Sequence, residues 1–592
     1  MPKPLPLLAV CAAVACSSNG PAAPRPQLDC SAPTDWTQTG RASDHAGTVC
    51  ASGVPLSGAS TFVLDPNLPQ ETAEARGALL VHYQVPLVVG DDVYAAVKSP
   101  NTYTSCAPPG SRTPFPCGPD AWGSQIWNEQ HFVWQGSQIV ASWTVESDWK
   151  PPPNRGNDPV TGPNTTALGG WEPQFHAVIS GNSLWMPAGS GGVTQIDRAT
   201  GQVTGTIRPF GADSSVFVAG PLTATSTGDI LYTAMRLNLA DPWGDNDPDG
   251  FLVRIRGGAP TVVAWRTLVP GAPDPQDAGC EGTYPINPNT QPLPPLTSSG
   301  AVQPAPSARC GIQRPAINAA PAVGPDGTIF LASRSHRLAR YAYLLAVNPD
   351  LTPRWATSMR GVLEDGCGIT VAADNQPGNC TSGAPRGVDP ATGTRPAGFI
   401  SDQGSSSPVA LPDGGVIFGS LTNYNGFRGH LFKFASDGHV AGTFDFGWDI
   451  TPAWFPHDGT YSIVLKDNHY LTGGPYYVTQ LSADLHVEWR FASSNSQTCA
   501  RQANGQISCF DDGQHGNGFE WCINSVAVDR DGTVYANSED GNLYAIGPGG
   551  VFKGRVFLDR ALGAAYTPIS MDSKGRIYAQ NAGKMYAFSG AQ

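Results

Sequence analysis

The sequence predicts an all-β protein in which about eight similar units of short strands stack around one axis. Charged residues make up only 14% of the 592 residues, while Gly (69) and Pro (55) are abundant. This composition favours short strands joined by turns over helices. A unit of two strands around a polar turn recurs along the chain, and its strands are apolar on both faces. Such strands need a neighbouring sheet on each side, which radial stacking provides.

The first 15 residues predict a signal peptide, because one Lys precedes an apolar stretch too short to span a bilayer. The stretch ends at Ala13-Val14-Ala15-Cys16, which resembles the bacterial lipobox, whose Cys is lipidated. Ser17 is similar to the residue that sends lipoproteins to the outer membrane. We therefore expect an outer-membrane lipoprotein anchored through Cys16, with plain secretion after cleavage near Ala15 as the alternative. Residues 16–45, rich in Pro, Ser and Ala, predict a flexible tether.

The 13 cysteines agree with export to an oxidising compartment. Short separations along the chain suggest four disulfides, each closing a loop rich in Pro and Gly. The suggested pairs are Cys30–Cys50, Cys106–Cys117, Cys280–Cys310 and Cys367–Cys380. Cys499, Cys509 and Cys522 form a further cluster in which one thiol is left over, and the sequence does not fix which two of them pair.

The repeated unit is clearest at residues 531–550, DGTVYANSEDGNLYAIGPGG, where Asp-Gly supplies a turn with positive φ. Similar stretches occur at residues 181–201, 226–258, 324–350, 411–438 and 571–590, and degenerate ones at 89–100 and 462–484. An isolated hairpin of this kind is marginal in water, so the units are expected to stack. The intervals lack a period of 3.6 residues, which argues against repeated β-α-β units.

These units resemble the pyrroloquinoline-quinone (PQQ)-type β-propeller repeat of quinoproteins, most closely from Asp531 to Ile546. The resemblance implies one large propeller over residues 46–592, with about eight blades and seven as the alternative. It also implies that Trp265, Trp355 and Trp489 dock each blade on its neighbour. The last unit ends almost at residue 592, so we expect a strand near residues 60 to 97 to close the ring.

Insertions interrupt the repeat near residues 100–175, 236–250, 270–315, 358–405 and 495–520. Four of them carry the expected disulfides. Long insertions on a rigid scaffold are where binding residues usually lie, so the function is expected in these stapled loops.

The sharpest local motif is Asp245-x-Asp247-x-Asp249, followed by Gly250. This spacing brings three carboxylates around one point, as in calcium loops. The twelfth position is Arg256 rather than the bidentate Glu of an EF-hand. A structural calcium loop and a solvated acidic turn both remain open.

The histidines are dispersed and are expected to act singly as hydrogen-bonding groups; they include His176, His336, His430, His457, His469 and His515. Residues 451–460 and 509–522 combine aromatic side chains, His and acids. Either stretch could line a funnel, with Trp454 and Trp521 stacking on a glycan, or pack on a blade. Asp511 and Asp512 with Glu520 are a candidate acid pair whose separation the sequence does not give.

Quinone-dependent dehydrogenases of this family share an adjacent-Cys disulfide and a metal held by Glu and Asn, and neither motif is found in this sequence. The sequence therefore favours no PQQ cofactor. Other members are periplasmic lipoproteins that act as scaffolds in outer-membrane protein assembly. We expect a monomeric, non-catalytic platform that binds a cell-envelope protein or glycan. The alternative is an enzyme with a central-funnel site, either a quinone-dependent dehydrogenase or a lyase or hydrolase of polysaccharide. The net charge of -13 argues against nucleic-acid partners.

Overall fold

The computed structural model describes the larger part of the chain, and every structural statement refers to those residues. They are residues 30–31, 35–74, 81–104, 120–153, 172–240, 242, 248–286, 291–369, 380–422, 429–446, 449–468, 474–502, 504–521, 525–560 and 567–591. Cys16, Cys106, Cys117, Cys522, Asp245, Asp247 and His469 lie outside these ranges.

The described residues form eight antiparallel sheets, which are the blades of one β-propeller. Six sheets have four strands, and two have five because the innermost strand is broken. Blade 1 comprises Leu87–Val89, Asp92–Lys98, Trp127–Gln135 and Gln138–Glu146; blade 2 comprises Val178–Ser180, Ser183–Ala188, Gly192–Asp197 and Val203–Ile207. Blade 3 comprises Val216–Val218 with Thr223–Ala224, then Ile230–Arg236, Asp249–Arg256 and Ala259–Ala264. Blade 4 comprises Gln313–Pro315 with Ala322–Val323, then Ile329–Ser335, Ala342–Val347 and Pro353–Ser358.

The remaining blades follow in chain order, and the last one contains the N-terminal strand. Blade 5 comprises Val409–Ala410, Val416–Leu421, Gly429–Phe434 and Val440–Phe446; blade 6 comprises Ala453–His457, Thr460–Asp467, Tyr477–Ser482 and Val487–Ala492. Blade 7 comprises Ala527–Val528, Val534–Asn537, Asn542–Gly547 and Val551–Phe557. Blade 8 comprises Ile569–Met571, Ile577–Asn581 and Lys584–Phe588, and its outer strand is Ala59–Val63, paired with Lys584–Phe588. This pairing closes the ring and confirms the expected closure by an N-terminal strand.

Few other elements occur in the described ranges. They are the helices Leu68–Glu74 and Asp120–Gly123, the 3₁₀ turns Trp265–Leu268 and Pro548–Gly550, and two hairpins, Cys280–Glu281 with Ser307–Ala308 and Gln497–Arg501 with Ile507–Asp511. In the part of the chain that the structure describes, no helix is long and apolar enough to cross a membrane.

One expected insertion is wrong in extent. Residues 100–175 contain the third and fourth strands of blade 1, Trp127–Gln135 and Gln138–Glu146. The third strand places Asn128, Glu129 and His131 in buried positions. This run of polar residues conceals the apolar pattern that marks the other units. The insertion within blade 1 therefore ends before residue 127, and a separate connection follows residue 146.

The strand order gives the ring two different faces. In each blade the strands alternate in direction, so the turns after the first and third strands lie on one face, termed the turn face. The connections between blades, and the turns after the second strands, lie on the opposite face, termed the insertion face. All the long insertions belong to these segments. The propeller therefore carries its long loops on the insertion face.

The turn face is closed near its axis by an N-terminal segment, defined as residues 35–54. Its backbone hydrogen bonds reach successive blades: Trp36 bonds Val88 of blade 1, Thr37 bonds Ile179 of blade 2, Ser43 bonds Val323 of blade 4, Asp44 bonds Ala410 of blade 5, Ala46 bonds Trp454 of blade 6, Val49 bonds Val528 of blade 7, and Val54 bonds Gly575 of blade 8. The Gln38 side chain supplies the contact with blade 3 through Ala224. The segment therefore passes once around the axis, in blade order.

The flexible tether predicted for residues 16–45 is thus wrong for its last eleven residues. Trp36, His45, Ala46, Thr48 and Val49 are fully buried. Backbone groups inside a channel need partners, and the inner strands provide them. At Gly575, where φ is +79°, a Cβ would lie 1.9 Å from the Ser52 carbonyl oxygen, so only glycine allows the segment to approach blade 8 this closely.

The described residues contain four disulfides: Cys30–Cys50, Cys280–Cys310, Cys367–Cys380 and Cys499–Cys509. The last pairing resolves the alternatives left open for that cluster. Cys30–Cys50 ties Cys30, which precedes the N-terminal segment, to Cys50 within it. The other three staple connections on the insertion face, in agreement with the expected fold.

The three tryptophans singled out from the repeat each contact the following blade. Trp265 is buried and donates its indole N–H to Ser333 Oγ at 2.9 Å. Trp355 donates to the Ser436 carbonyl at 3.1 Å and stacks on Phe434. Trp489 belongs to an apolar cluster that blades 6 and 7 share. Trp143 makes the same kind of contact between blades 1 and 2, where it donates to the Arg198 carbonyl.

Candidate functional site

A buried cluster around Lys98 lies on the insertion face of blade 1. The Lys98 ammonium is 2.8 Å from Asp65 Oδ2, 3.0 Å from Glu71 Oε1 and 2.8 Å from Glu172 Oε2. Gln125 donates to Glu71 Oε1 at 2.8 Å. Asp65 and Glu71 belong to the connection from blade 8 to blade 1, Glu172 to the next connection, and Gln125 to the insertion within blade 1. One lysine therefore joins two connections directly, and Gln125 links the insertion within blade 1 to them through Glu71.

The cluster has more acids than bases, and burial shifts their proton affinities. Burial, aided by the neighbouring carboxylates, raises the pKa of Glu71 well above its ordinary value and that of Glu172 to about 7. Burial alone would lower the pKa of Lys98, but Asp65, Glu172 and Glu71 together raise it well above the ordinary value. The ammonium therefore stays charged, and near neutral pH part of the carboxylate excess is removed by protonation.

A second buried cluster joins blade 4 to the following connection. Arg314 donates to both oxygens of Asp402, and Arg334 donates to Asp402 Oδ2 at 3.1 Å. All three side chains are fully buried. Arg314 also donates from Nε to His336 Nδ1 at 3.2 Å. The two arginines lie on strands of blade 4, and Asp402 lies shortly before blade 5. This carboxylate therefore fixes the end of a long insertion.

Buried polar side chains lie behind the N-terminal segment, between the two faces. Asn318 accepts from the Gln174 N–H at 2.8 Å and donates to the Gly404 carbonyl at 3.2 Å, which links two connections to the broken inner strand of blade 4. His176 Nε2 lies 3.1 Å from Thr39 Oγ1 of the N-terminal segment, and burial lowers the pKa of His176 to about 4. His176 is therefore neutral at physiological pH. In the described part of the chain, these buried side chains link the N-terminal segment and the inner strands to the connections of the insertion face.

Glu129 lies beside this axial network, fully buried in the third strand of blade 1. Gln84 donates to Glu129 Oε1 at 2.8 Å and accepts the Ala177 N–H at 2.8 Å. Burial raises the pKa of Glu129 to about 8, although the Gln84 hydrogen bond opposes the shift. Glu129 is therefore protonated in the folded protein at neutral pH.

We expect Glu129→Gln to remove a pH dependence of stability. Between about pH 4.5 and 8 the unfolded wild type has this carboxyl ionised while the folded form keeps its proton. The free energy of unfolding then falls by roughly 1.4 kcal/mol per pH unit as the pH rises. The variant lacks this dependence, so its advantage over wild type should grow up to about pH 8 and then level off. Urea unfolding at several pH values measures the difference. The exposed Glu146 of the same blade is the control: Glu146→Gln should change nothing, and parallel pH profiles for wild type and Glu129→Gln would refute the assignment.

The two longest connections pack together into a lobe over blades 3 to 5, defined by residues 265–312 and 359–408. Leu293 bridges to Cys380, and the Thr381 N–H donates to the Leu293 carbonyl at 2.8 Å. The Tyr284 N–H donates to the Ala391 carbonyl at 3.0 Å. Thr394 donates to Glu281 Oε1 at 2.9 Å. Cys280–Cys310 and Cys367–Cys380 close one loop of each connection, so the lobe is held by covalent bonds and by hydrogen bonds between its parts.

A groove runs between the two halves of this lobe. It consists of two adjoining cavities of about 520 and 270 Å³, which share Glu281, Arg360, Thr392 and Thr394. The Arg360 guanidinium lies 4.0 Å from the centre of the Tyr341 ring. Arg360 and Arg340 approach the same Glu281 carboxylate at 3.7 and 3.6 Å. A stacked, partly exposed arginine over a tyrosine is typical of protein-binding surfaces.

The turn face also has a cavity, of about 660 Å³, between the N-terminal segment and blades 3 to 6. Its lining includes Asp44, Arg254 and Trp454. Trp454 is only 6% exposed and Trp521 is fully buried. Glycan stacking on these two indoles, considered from the sequence, is therefore wrong for Trp521 and not supported for Trp454, because both rings pack inside the protein.

The expected calcium loop falls largely outside the described residues. Asp249 begins a strand of blade 3, and its carboxylate lies 3.4 Å from Arg236 Nη1. Among the described residues no group of three or more His, Cys, Asp or Glu side chains is placed to hold a metal ion. Calcium at Asp245, Asp247 and Asp249 stays a prediction.

The other sequence candidates do not converge on one site. Asp512 pairs with His515 at 2.9 Å. Glu520 lies instead near Glu539 and Lys466, and burial raises its pKa to about 8. His430 is 3.6 Å from Asp365, and His457 hydrogen-bonds Ser462 at 2.6 Å. The structure gives no contact between these groups, as expected for dispersed histidines.

Comparisons with solved structures find proteins of low similarity to this chain. A europium-containing methanol dehydrogenase has 10% identity and a TM-score of 0.44, with 92% of this chain and 89% of that chain covered. BamB from Moraxella catarrhalis has 12% identity and a TM-score of 0.39, with 90% and 99% covered. Quinohemoprotein alcohol dehydrogenase from Comamonas testosteroni has 10% identity and a TM-score of 0.46, with 94% and 80% covered.

No family model and no curated protein matches the chain. The strand pairings within its eight sheets identify the chain as an eight-bladed propeller.

Proposed function

We propose that this protein is an exported, non-catalytic binding platform that holds a cell-envelope protein on its insertion face. The observation that carries the proposal is the contrast between the two faces. The N-terminal segment hydrogen-bonds all around the axial mouth of the turn face, and buried polar side chains lie behind it. The insertion face presents disulfide-stapled loops and an open groove with Arg360 over Tyr341. Functional residues on a rigid ring are expected where such loops project.

We further propose that lipid on Cys16 holds the turn face towards the outer membrane. Cys30 is tied by its disulfide to Cys50, and residue 50 lies in the N-terminal segment on the turn face. The 14 residues from Cys16 to Cys30 reach at most about 50 Å when extended. The insertion face then points away from the membrane and is accessible to a partner. The disulfides are consistent with such an oxidising compartment.

Charge reversal at Arg360 should abolish partner recovery. In envelopes solubilised with detergent, affinity purification of Arg360→Glu should recover at least about tenfold less of the wild-type partner, since a desolvated charged contact at an interface is worth about 2 kcal/mol or more. The matched control is Arg354→Glu on the turn face, because both arginines pair with a single acid and are 34% and 36% exposed. Loss of the partner in Arg354→Glu alone would place the binding site on the turn face. Equal recovery of the partner by wild type and by both variants would exclude the groove as the binding site.

Replacement of Cys16 should release the protein from the membrane. Wild type should sediment with the outer-membrane fraction, whereas Cys16→Ser should appear in the soluble periplasmic fraction, because one hydrophobic anchor has been removed. The control is Cys11→Ser, which lies in the same leader. Equal distribution of wild type and Cys16→Ser would contradict lipid anchoring without affecting the proposed binding face.

The rival enzymatic function makes a different prediction. Dye reduction by the purified protein with added quinone, calcium and an alcohol should stay at the level of a protein-free control. Turnover above that level, lost on heating, would refute the non-catalytic proposal.

A further inference from the structure

The blade 6–7 connection projects a hairpin whose outer strand has no strand partner on its far side among the described residues. Gln497–Arg501 pairs with Ile507–Asp511, and Cys499 and Cys509 face each other across the pair and are bonded. Thr498 and Cys499 of the inner strand are buried, whereas all five residues of the outer strand are exposed. The outer strand, residues 507–511, is termed the free edge.

The alternation of hydrogen-bonded and non-hydrogen-bonded pairs in the hairpin shows which backbone groups of the free edge can bond a further strand. The Gln502 N–H donates to the Gln506 carbonyl, so alternate pairs from that point are hydrogen-bonded, namely Ala500 with Ser508 and Thr498 with Phe510. The Cys499–Cys509 pair lies between them, and its Cα–Cα distance of 4.1 Å agrees with a pair that exchanges no backbone hydrogen bonds. The N–H and C=O groups of Ile507, Cys509 and Asp511 therefore point away from the hairpin.

Hydrogen bonds attach the hairpin to blade 7, so we expect binding there to need little ordering. Arg501 donates to the Phe557 and Leu558 carbonyls of blade 7 at 3.1 and 3.3 Å. Asn495 donates to Asp540 of the same blade at 2.9 Å. Thr498 donates to Asp512 at 2.6 Å. A preorganised edge loses less conformational entropy on binding than a mobile one.

The free edge lacks the features that protect other edges of this molecule. The outer strands of blades 6 and 7 carry Glu488 and Arg490, and Lys553 and Arg555, within their length. Charged side chains of this kind discourage strand addition. The free edge has Ile507 and Phe510, which are 46% and 56% exposed, and its one charge, Asp511, is at its end.

We infer that the free edge binds an extended, basic peptide segment of a partner protein by adding it as a third strand. Backbone hydrogen bonds to Ile507, Cys509 and Asp511 supply affinity, and alternate apolar residues of the partner cover Phe510. A Lys or Arg beside Asp511 complements its carboxylate. A second copy of this chain fits less well, since each copy has a net charge of -13. The inference rests on the proposed binding role and specifies one segment of its surface.

The test uses the full-length protein and a capped synthetic peptide of alternating threonine and valine residues with a lysine at each end. Fluorescence anisotropy should show saturable binding, and amide hydrogen exchange should slow at Ile507, Cys509 and Asp511. Ile507→Pro removes one outward N–H without breaking a hydrogen bond of the hairpin, and should weaken binding at least tenfold. Phe510→Asp should have a similar effect. Phe552→Asp changes a similarly exposed phenylalanine on the outer strand of blade 7 and should leave binding unchanged.

Other outcomes overturn the assignment. Binding that is unaffected by both edge variants, or protection confined to other strands, would exclude the free edge. Concentration-dependent dimers in sedimentation, lost in Phe510→Asp, would assign the edge to a second copy instead. If Arg360→Glu loses the envelope partner while Ile507→Pro and Phe510→Asp retain it, the proposed platform function is supported and only strand addition at the free edge is refuted.

Discussion

Lys98→Met is expected to lower the free energy of unfolding by about 3–5 kcal/mol at pH 8, the usual cost of leaving buried charge without its partner. Methionine preserves the length and apolar stem of lysine, so the lost charge is the main change. Asp65, Glu71 and Glu172 all face the Lys98 ammonium within 3.0 Å. Without the Lys98 ammonium, the two connections that it joins on the insertion face must separate, or the carboxylates that they carry must bind protons. Urea unfolding followed by tryptophan fluorescence measures the loss.

The pH dependence of this variant provides a second check. The pKa values of Glu71 and Glu172 are raised by burial, and Lys98→Met removes the charge that opposes this rise, so these two groups contribute stability that is present at low pH and lost as the pH rises. The cost of Lys98→Met should therefore be smaller at pH 5 than at pH 8. Adding Glu172→Gln should restore part of the loss. Lys553→Met, on the outer strand of blade 7, should cost less than about 0.5 kcal/mol. An equal cost of Lys98→Met at both pH values would show that the loss comes from packing rather than charge.

Asp402→Asn should destabilise the protein by a similar amount, about 3–5 kcal/mol, while keeping the side-chain shape. Arg314 and Arg334 are fully buried and share the Asp402 carboxylate. Arg334 stays charged at neutral pH, since burial lowers its pKa only to about 10. The amide keeps the volume but leaves two guanidinium groups close together without this negative charge. Urea unfolding at neutral pH measures the cost.

An exposed ion pair of the same blade is the control for Asp402→Asn. Asp326 pairs with Arg354 at 2.8 Å, with 54% and 36% of the side chains exposed. Asp326→Asn should cost less than about 1 kcal/mol because solvent screens the pair. Burial tends to raise the pKa of Asp402, but Arg314 and Arg334 lower it below the ordinary 3.8. The Asp402 contribution is therefore present above pH 3.8 and lost as the pH falls below it. Equal costs for Asp402→Asn and Asp326→Asn would refute the importance of burial.

The sequence was sufficient to predict the ring because the repeat is carried by local features. Asp-Gly turns occur in blades 4 to 7, and strands apolar on both faces occur in most blades, and each feature is visible within a single unit. Trp265 and Trp355 also follow from their place in the repeat. Blade 1 was recognised only in part, because Asn128, Glu129 and His131 are buried by contacts with other segments. Such contacts link residues far apart in the chain and leave no local pattern.

The parts that matter for the candidate site were less predictable for the same reason. Lys98 ends an ordinary strand, and its three carboxylates come from two different connections. Arg314 and Arg334 stand 68 or more residues from Asp402. The signal in the sequence for this buried cluster was a charged residue, Lys98, at the end of an apolar strand, since charges are rarely buried unless they are paired. Residues 35–45 of the N-terminal segment were predicted as part of a tether because the Pro, Ser and Ala composition of residues 16–45 is typical of linkers. Their burial depends on backbone bonds to the ring.

Amide hydrogen exchange across residues 36–49 of the full-length protein tests most directly whether the turn face is sealed. If the segment seals it, the amides of Trp36, Gly47 and Val49, which donate to ring or segment carbonyls, should exchange as slowly as those of the inner blade strands. Exchange at the rate of an unstructured peptide would contradict the seal. The axial mouth would then be open, and an enzyme with a central-funnel site would become the better interpretation.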